Sequence, residues 1–353
     1  MGVYGLPMTH VTLRQLQPTD SDALRELFAF SPDGGQFAIS PQYQIDPCQA
    51  LIDLSPNTTG VVAEVADSGK IVGVGLVQIE ERYLDGVLVP CALLYSLTVH
   101  PSYRRQGIAA RLGQWRIAYA RQKAGEGVAI LAFIQKGNIG SLTAAQKWGR
   151  QTSGQYRNGL LRTRQKPPQE AAGLIIREAK PVEHDQIARN LNAFYGDYNL
   201  YAPQTGRDLT KWLQETPFTR PFRHYYVAVD SQDTLLAGLA VAEQARIVTM
   251  HVQNMPVPAR LLNRIVNMVP PDGILRQLGI NKIWYALDQL PAARHLWESM
   301  RWRLRDRGSH LLCSHDPRGP ISKVISLPFW MPKGTSGIVA QNLTLDDRLI
   351  CQP

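Results

Sequence analysis

The stretch LLYSLTVHPSYRRQGIAARLGQWRIAYARQ, residues 93–122, decides the fold of this chain. Residues 93–99 are an apolar run suited to a buried strand, and His100-Pro101 stops it because proline has no N–H to give a ladder. Arg104-Arg105-Gln106-Gly107-Ile108-Ala109 then makes a tight, small-residue turn directly ahead of a helix with apolar positions at Ile108, Leu112, Trp115 and Tyr119. Strand, glycine turn and helix start form an anion cradle. The first helical N–H groups have no intrahelical partner, and the helix dipole adds partial positive charge. Gly107 and Ala109 let a ligand approach the backbone, while Arg104 and Arg105 supply full charges.

Two familiar phosphate loops are excluded. The turn lacks the lysine and hydroxyl of GxxxxGK[ST], and it is not GxGxxG. Further on, VAILAFIQ (128–135) reads as a buried strand, followed by Asn138-x-x-Ser141, a helix, and Lys147-Trp148-Gly149. Arg-x-x-Gly-x-Ala after a Val-x-Pro strand end, with these later residues at matching spacings, resembles the GNAT superfamily of acyl-CoA N-acyltransferases. The resemblance covers residues 11 to about 163 well and 175 to about 315 weakly. Two positions depart from the family pattern: Ala145 stands where tyrosine is usual, and Arg150 where phenylalanine is common.

The resemblance implies two neighbouring parallel strands that splay apart, freeing backbone groups at Leu97 and Val99 to pair with the pantetheine arm as an added strand would. It implies a diphosphate held by Arg104, Arg105, Gln106, Gly107, Ile108, Ala109 and Ala110, with Asn138 and Ser141 completing the cofactor site. The cosubstrate is then acyl-CoA, acetyl or longer, with no metal. An amine attacks the thioester carbonyl directly, helped by positioning and by removal of its proton. Glu80 and Glu81, at the end of the third strand, are the candidate bases, Glu80 preferred because it shares a face with Gln78; alternatively they cap an exposed hairpin. With Ala145 unable to give a proton to the leaving thiolate, Tyr95 is the candidate donor, and it also suits a core position.

Working outward, the chain repeats itself. Arg14, Pro18 and Asp22 recur as Arg177, Pro181 and Asp185, each displaced by 163 positions, and Asp67 recurs as Asp230. The hairpin signature VVAEVADSGKIVGVGLVQIEE (61–81) is echoed by YYVAVDSQDTLLAGLAVAEQA (225–245). Ala-Arg-Leu at 110–112 recurs at 259–261, and SLTAAQKWGR (141–150) resembles AARHLWESMRW (292–302). The smaller offset of these later matches implies a second copy shortened in its middle. The expected fold is α/β: two tandem GNAT-like domains, each a twisted mixed sheet with helices on both faces. The expected boundaries are 8–163 for the cofactor-binding catalytic unit, 164–172 for a linker, 173–330 for a degenerate unit, and 331–353 for a tail. On this register MHVQNMPVPARLLNRI (250–265) faces the cradle, so Pro256 stands opposite Gly107 and Pro258 opposite Ala109. Proline cannot donate to phosphate, which predicts a silent second half that completes the acceptor pocket.

Composition sets the outer limits. The chain has 353 residues, 44% hydrophobic and 19% charged, with a net charge of +9 that suits a polyanionic partner without choosing one. Cys48, Cys91, Cys313 and Cys351 form no CxxC pair, and there is no HExxH, so disulfide scaffold and metal site are both unsupported. No run approaches the length of a membrane span and no signal layout opens the chain, which leaves a cytoplasmic protein as the expectation. The tandem arrangement resembles mycothiol synthases, aminoglycoside acetyltransferases, N-myristoyltransferases and enzymes that attach fatty chains to ribosomal peptides. Some of these use a terminal carboxylate as base, a role Pro353 could fill. The expected partner is an amine-bearing small molecule or peptide, with long-chain transfer to lysine or ornithine of a peptide as one variant. The alternatives are acetylation of an antibiotic or polyamine, and a non-catalytic acyl-CoA-binding pseudoenzyme. A nucleic-acid binder is disfavoured because no basic run interleaves with aromatics.

Overall fold

The computed structural model describes residues 10–31, 38–327 and 334–351. The first half runs β1 (Val11–Gln15), α1 (Ser21–Phe30), β2 (Ala38–Tyr43), β3 (Thr58–Val65), β4 (Ile71–Leu84), β5 (Val87–Val99), α2 (Ile108–Ala124), β6 (Ala129–Gln135), α3 (Ile139–Ala145) and β7 (Arg150–Arg162). The second runs β8 (Ile175–Glu178), α4 (His184–Tyr195), α5 (Gly206–Gln214), β9 (Arg223–Val229), β10 (Leu235–Ala242), β11 (Val248–Asn254), α6 (Val257–Val266), β12 (Ile274–Leu275), β13 (Gln277–Tyr285), α7 (Leu290–Arg303), β14 (His310–His315), α8 (Ile321–Val324) and β15 (Gly334–Gln341).

One twelve-stranded sheet joins the halves in the order β1-β3-β4-β5-β6-β15-β7-β14-β13-β10-β9-β8. The order is a palindrome about the β15–β7 seam, with β5/β6 and β13/β14 as the parallel pairs. Each half opens on the same charge arrangement. Arg14 pairs with Asp20 (2.8 Å) and Glu64 (2.6 Å), and Arg177 pairs with Glu183 (2.6 Å) and Asp233. A small sheet, β12-β11-β2, ties the halves together a second time.

The halves exchange strands. β7, expected to close the first unit at 163, pairs with β14 of the second (Leu161 opposite Leu311), while β15, inside the expected tail 331–353, lies between β6 and β7. The alternation in Gly334–Gln341 explains this position: Ile338 and Ala340 are buried on one face and Val339 on the other. Residues 164–172 carry neither helix nor strand.

The register of the second copy also needs correction. β13-α7-β14 follows the parallel-crossover pattern of β5-α2-β6, and β11-α6-β12 is an insertion placed where the first copy has only the Asp85-Gly86 turn. The second copy is longer in its middle, not shorter. Ala-Arg-Leu at 259–261 belongs to this insertion, and residues 292–302 lie in the counterpart of α2, not of α3.

Helix α2 packs through its periodic face, with Ile108 and Leu112 fully buried. Each such aliphatic side chain contributes about 1.5–3 kcal/mol of burial. Trp115 and Tyr119 stack on one another at 5.4 Å, half-buried.

Candidate active site

β5 pairs with β6 only through Cys91–Leu93 opposite Ala129–Leu131, and beyond that point the parallel strands diverge. On its other edge β5 carries a bulge against β4: Tyr95 opposes Leu76 and Thr98 opposes Val74, which leaves Ser96 and Leu97 facing Gly75 alone. Ser96 adopts φ 49 there. The Arg116 guanidinium fills the bulge, donating from Nη1 to the carbonyls of Leu76 and Tyr95 (3.2 Å each) and from Nε to Leu112 (3.1 Å). A side chain on Gly75 would meet this guanidinium at 3.0 Å, so any residue larger than glycine would push against Arg116. Burial lowers the Arg116 pKa to about 10.

The His100 N–H donates to the Val72 carbonyl (2.9 Å). In an antiparallel ladder the alternate residues turn away, so the backbone groups of Leu97 and Val99 point from β4 toward the splay. The Val99 carbonyl accepts from Arg104 Nε (3.0 Å). A cavity of about 360 Å³ occupies the splay, lined among others by Leu97, Ala109, Gly113, Arg116, Ile134 and Ala145. Val99 is not among its lining residues.

The turn at 104–110 enters α2 through left-handed conformations at Arg105 (φ 63) and Gly107 (φ 79). Gly107 is the helix N-cap, with no side chain capping the first turn and nothing within 4 Å of the position a Cβ would take. Arg104, Arg105 and Gly107 are exposed, Gln106, Ala109 and Ala110 half-buried, and the Ile108 side chain belongs to the core. Asn138 caps α3 by accepting from the Ser141 N–H (3.1 Å), and both residues line the cleft. Their spacing is that of an N-cap.

A second cavity, of about 630 Å³, lies between the halves. Glu80 is in its wall: Oε1 accepts from Gln78 Nε2 (2.8 Å) and Oε2 from Arg82 Nη2 (2.6 Å). Arg82 is buried and also donates to the Leu200 carbonyl (2.9 Å). Glu81, one residue on, points to the opposite face of β4, is exposed, and lines neither cavity. The two cavities meet at Tyr95, Phe133 and Tyr156, which line both. The Tyr95 hydroxyl is 3.0 Å from that of Thr58, and burial raises its pKa, keeping the phenol protonated.

Sequence reasoning missed Tyr156, Phe133 and Lys282 at this site. Tyr156 comes from β7, and its ring meets Phe133 edge-on at 4.7 Å. The chain after β15 returns to the same cavity, where Ile350 and Cys351 form part of the wall. Pro353 lies outside the described residues.

The second-half counterpart of the cradle is Ala286–Gln289, between β13 and α7. It contains no arginine, Asp288 supplies a negative charge, and Pro291 removes an N–H from the first turn of α7. Pro256 and Pro258 flank the start of α6 in the insertion and have no part in this comparison. Among the described residues there is no cluster able to hold a metal ion, and no helix is long and apolar enough to cross a membrane.

Residues 22–149 match the sequence profile of the acetyltransferase (GNAT) family. Among solved structures, the chain resembles N-myristoyltransferase of Saccharomyces cerevisiae with bound myristoyl-CoA: TM-score 0.65, 11% identity, covering 96% of this chain and 84% of that one. It also resembles GCN5-related N-acetyltransferases from Sphaerobacter thermophilus (0.56, 13%, 94% and 95%) and Kribbella flavida (0.54, 12%, 96% and 72%). No curated protein matches the chain. At these identities the structural likeness speaks for the fold.

Proposed function

We propose, from the premise that the GNAT domain at residues 22–149 makes the chain a GNAT-type N-acyltransferase, that it moves an acyl group from coenzyme A to a primary amine bound between its halves. One observation supports this above others: the 360 Å³ cleft and the 630 Å³ cavity meet at Tyr95, Phe133 and Tyr156. A thioester lying in the first would face an amine lying in the second.

In this reading the pantetheine arm pairs with the edge of β5 at Leu97 and the Val99 N–H. The diphosphate rests on the amides of the 106–110 turn between Arg104 and Arg105. Asn138 and Ser141 act as the cap that fixes α3 along the cleft. Glu80 takes the proton from the ammonium, and the amine nitrogen attacks the thioester carbonyl. An amide forms as the C–S bond breaks; the thiolate leaves with a proton from Tyr95, since Ala145 has none to give, and the Tyr95 phenolate takes the second proton that the amide nitrogen sheds. Glu81 has no role.

The cleft beside Ala145 is lined by further small residues, Ala132 and Ala144. That leaves apolar room next to the thioester and favours a long acyl chain over acetyl, delivered to an amine of a small molecule or a peptide side chain. The thiols of Cys48, Cys91 and Cys313 are buried and form no disulfide, which fits a reducing, cytoplasmic setting. The test is thiol release from acetyl-, octanoyl- and palmitoyl-CoA against a panel of amines. Release above hydrolysis with the longer donors is the expected result. Thioester binding without transfer to any amine indicates a pseudoenzyme and overturns the proposal.

A further inference from the structure

Lys282 is the one cation in the wall of the 630 Å³ cavity that has no carboxylate within salt-bridge distance among the described residues. Glu80 is matched by Arg82, and Asp316 by Arg318 (2.6 Å). The Lys282 Nζ donates to Gln204 Oε1 (2.8 Å) and sits 5.1 Å from the Trp212 ring centre. An ammonium has three N–H donors, so two remain beyond the Gln204 bond. Burial lowers its pKa to about 8; Cys351 and Glu80 oppose that shift, while Arg223 and Arg82 add repulsion. A cation taken out of water is costly unless an anion meets it.

The backbone has been bent to put it there. Lys282 lies in the bulge of β13 against β10, where Asn281 opposes Ala240 and Trp284 opposes Gly238. Its φ is 50, a left-handed conformation that is unfavourable for lysine. Two buried tyrosines hold the bulge, Tyr225 Oη donating to the Lys282 carbonyl (2.8 Å) and Tyr195 Oη to that of Ile283 (2.6 Å). Bulges of this kind re-aim a side chain. Here the re-aimed side chain is a cation in the wall of a cavity whose other charges are already matched.

Resting on the acyltransferase reading, we infer that the acceptor carries a carboxylate as well as its amine, as an amino acid or a short peptide does. The ammonium lies toward Glu80 and the carboxylate toward Lys282. A single monocation flanked by the Gln204 and Asn281 amides suits a carboxylate better than a dianionic phosphate, which needs more donors.

The experiment compares matched acceptors in the full chain: lysine, lysinamide and cadaverine, with phosphoethanolamine as the phosphate arm. It reads thiol release with acyl-CoA and, separately, calorimetric binding of each acceptor without donor. The wild type should favour lysine over lysinamide and cadaverine at least tenfold in kcat/KM, through KM. K282M should erase that preference, and K282R should retain it, a pattern that a merely structural lysine does not produce. Equal use of acid and amide by the wild type, an unaltered preference in K282M, or a preference for phosphoethanolamine overturns the inference. If no acceptor is acylated but carboxylates bind in a Lys282-dependent way, the transfer reading fails while the anion site stands. If neither transfer nor carboxylate binding occurs, both fail.

Discussion

Ser96 and Lys282 occupy the same position in the two halves of the sheet. Each is the first residue of a two-residue bulge on the strand that precedes the crossover helix, and each is left-handed, φ 49 and φ 50. In the first half the bulge marks the splay of β5 from β6 and is filled by Arg116; in the second it brings a lysine to the cavity between the halves. The same backbone device borders the 360 Å³ cleft in one copy and the 630 Å³ cavity in the other.

Arg116 is the clearest test of the first bulge. R116M keeps most of the volume but leaves the carbonyls of Leu76, Tyr95 and Leu112 without this donor. Each such loss costs about 1–3 kcal/mol. We expect chemical denaturation to show a loss of about 3 kcal/mol, together with weaker acyl-CoA binding by calorimetry. Unchanged stability would mean that the bulge stands without the guanidinium.

Gly107 tests the cradle. In G107A the left-handed φ of 79 is retained at a cost of about 1 kcal/mol, and the methyl group stands where a diphosphate must approach. The affinity for acyl-CoA should fall tenfold or more, while stability changes only by the strain. An unchanged affinity removes the cradle from the site.

Glu80 and Glu81 separate catalysis from surface charge. E80Q should lower kcat at least a hundredfold with acyl-CoA affinity preserved. E81Q, on the opposite face, should behave as wild type. If the two variants lose activity equally, the base lies elsewhere.

His310 and His315 govern the response to acid. Burial lowers both pKa values to about 4 in the folded chain, against about 6.5 when unfolded. The unfolded state therefore binds protons first, and stability falls as pH drops from about 6.5 toward 4. The linkage amounts to about 3 kcal/mol per histidine. Urea midpoints measured between pH 7 and pH 5 should decline, and H315Q should flatten part of the slope. A flat profile in the wild type would show that neither ring is neutral and buried.

The exchanged strands predict that residues 1–163 do not fold alone. Without β15 the parallel strand β6 loses its outer neighbour, and β7 loses both of its partners, β15 and β14. The isolated piece should express as an insoluble or molten species by near-ultraviolet circular dichroism, with solubility restored by co-expressing residues 164–353. A sharp, cooperative transition for the piece alone would contradict this.

Local chemistry was legible in the sequence, and long-range pairing was not. The repeat of Arg14, Pro18 and Asp22 as Arg177, Pro181 and Asp185, the strand–turn–helix at 93–122 and the shared face of Glu80 and Gln78 follow from residues near one another in the chain, whereas the ion pairs of Arg14 with Glu64 and of Arg177 with Asp233 span 50 and 56 positions. The Ala-Arg-Leu at 259–261 misled because a three-residue match has no physical constraint behind it, and it pulled an inserted helix into register with α2. β15 reads as a tail since Gly334-Thr335-Ser336-Gly337 carries no strong strand signal; only its place between β6 and β7 buries Ile338, Val339 and Ala340. Lys282 and Tyr156 were invisible for a related reason. Their roles come from strands far from residues 93–122, and nothing in their own surroundings in the chain marks them.

Because β15 is the partner of β6, the 360 Å³ cleft is finished only when residues up to 341 have been made. During translation the nascent first half exposes a bare strand edge beside an apolar groove, the kind of surface that chaperones recognise. A stop between residues 163 and 333 removes this strand, and with it the framework of a cleft most of whose lining residues, from Phe28 to Asn158, are already made.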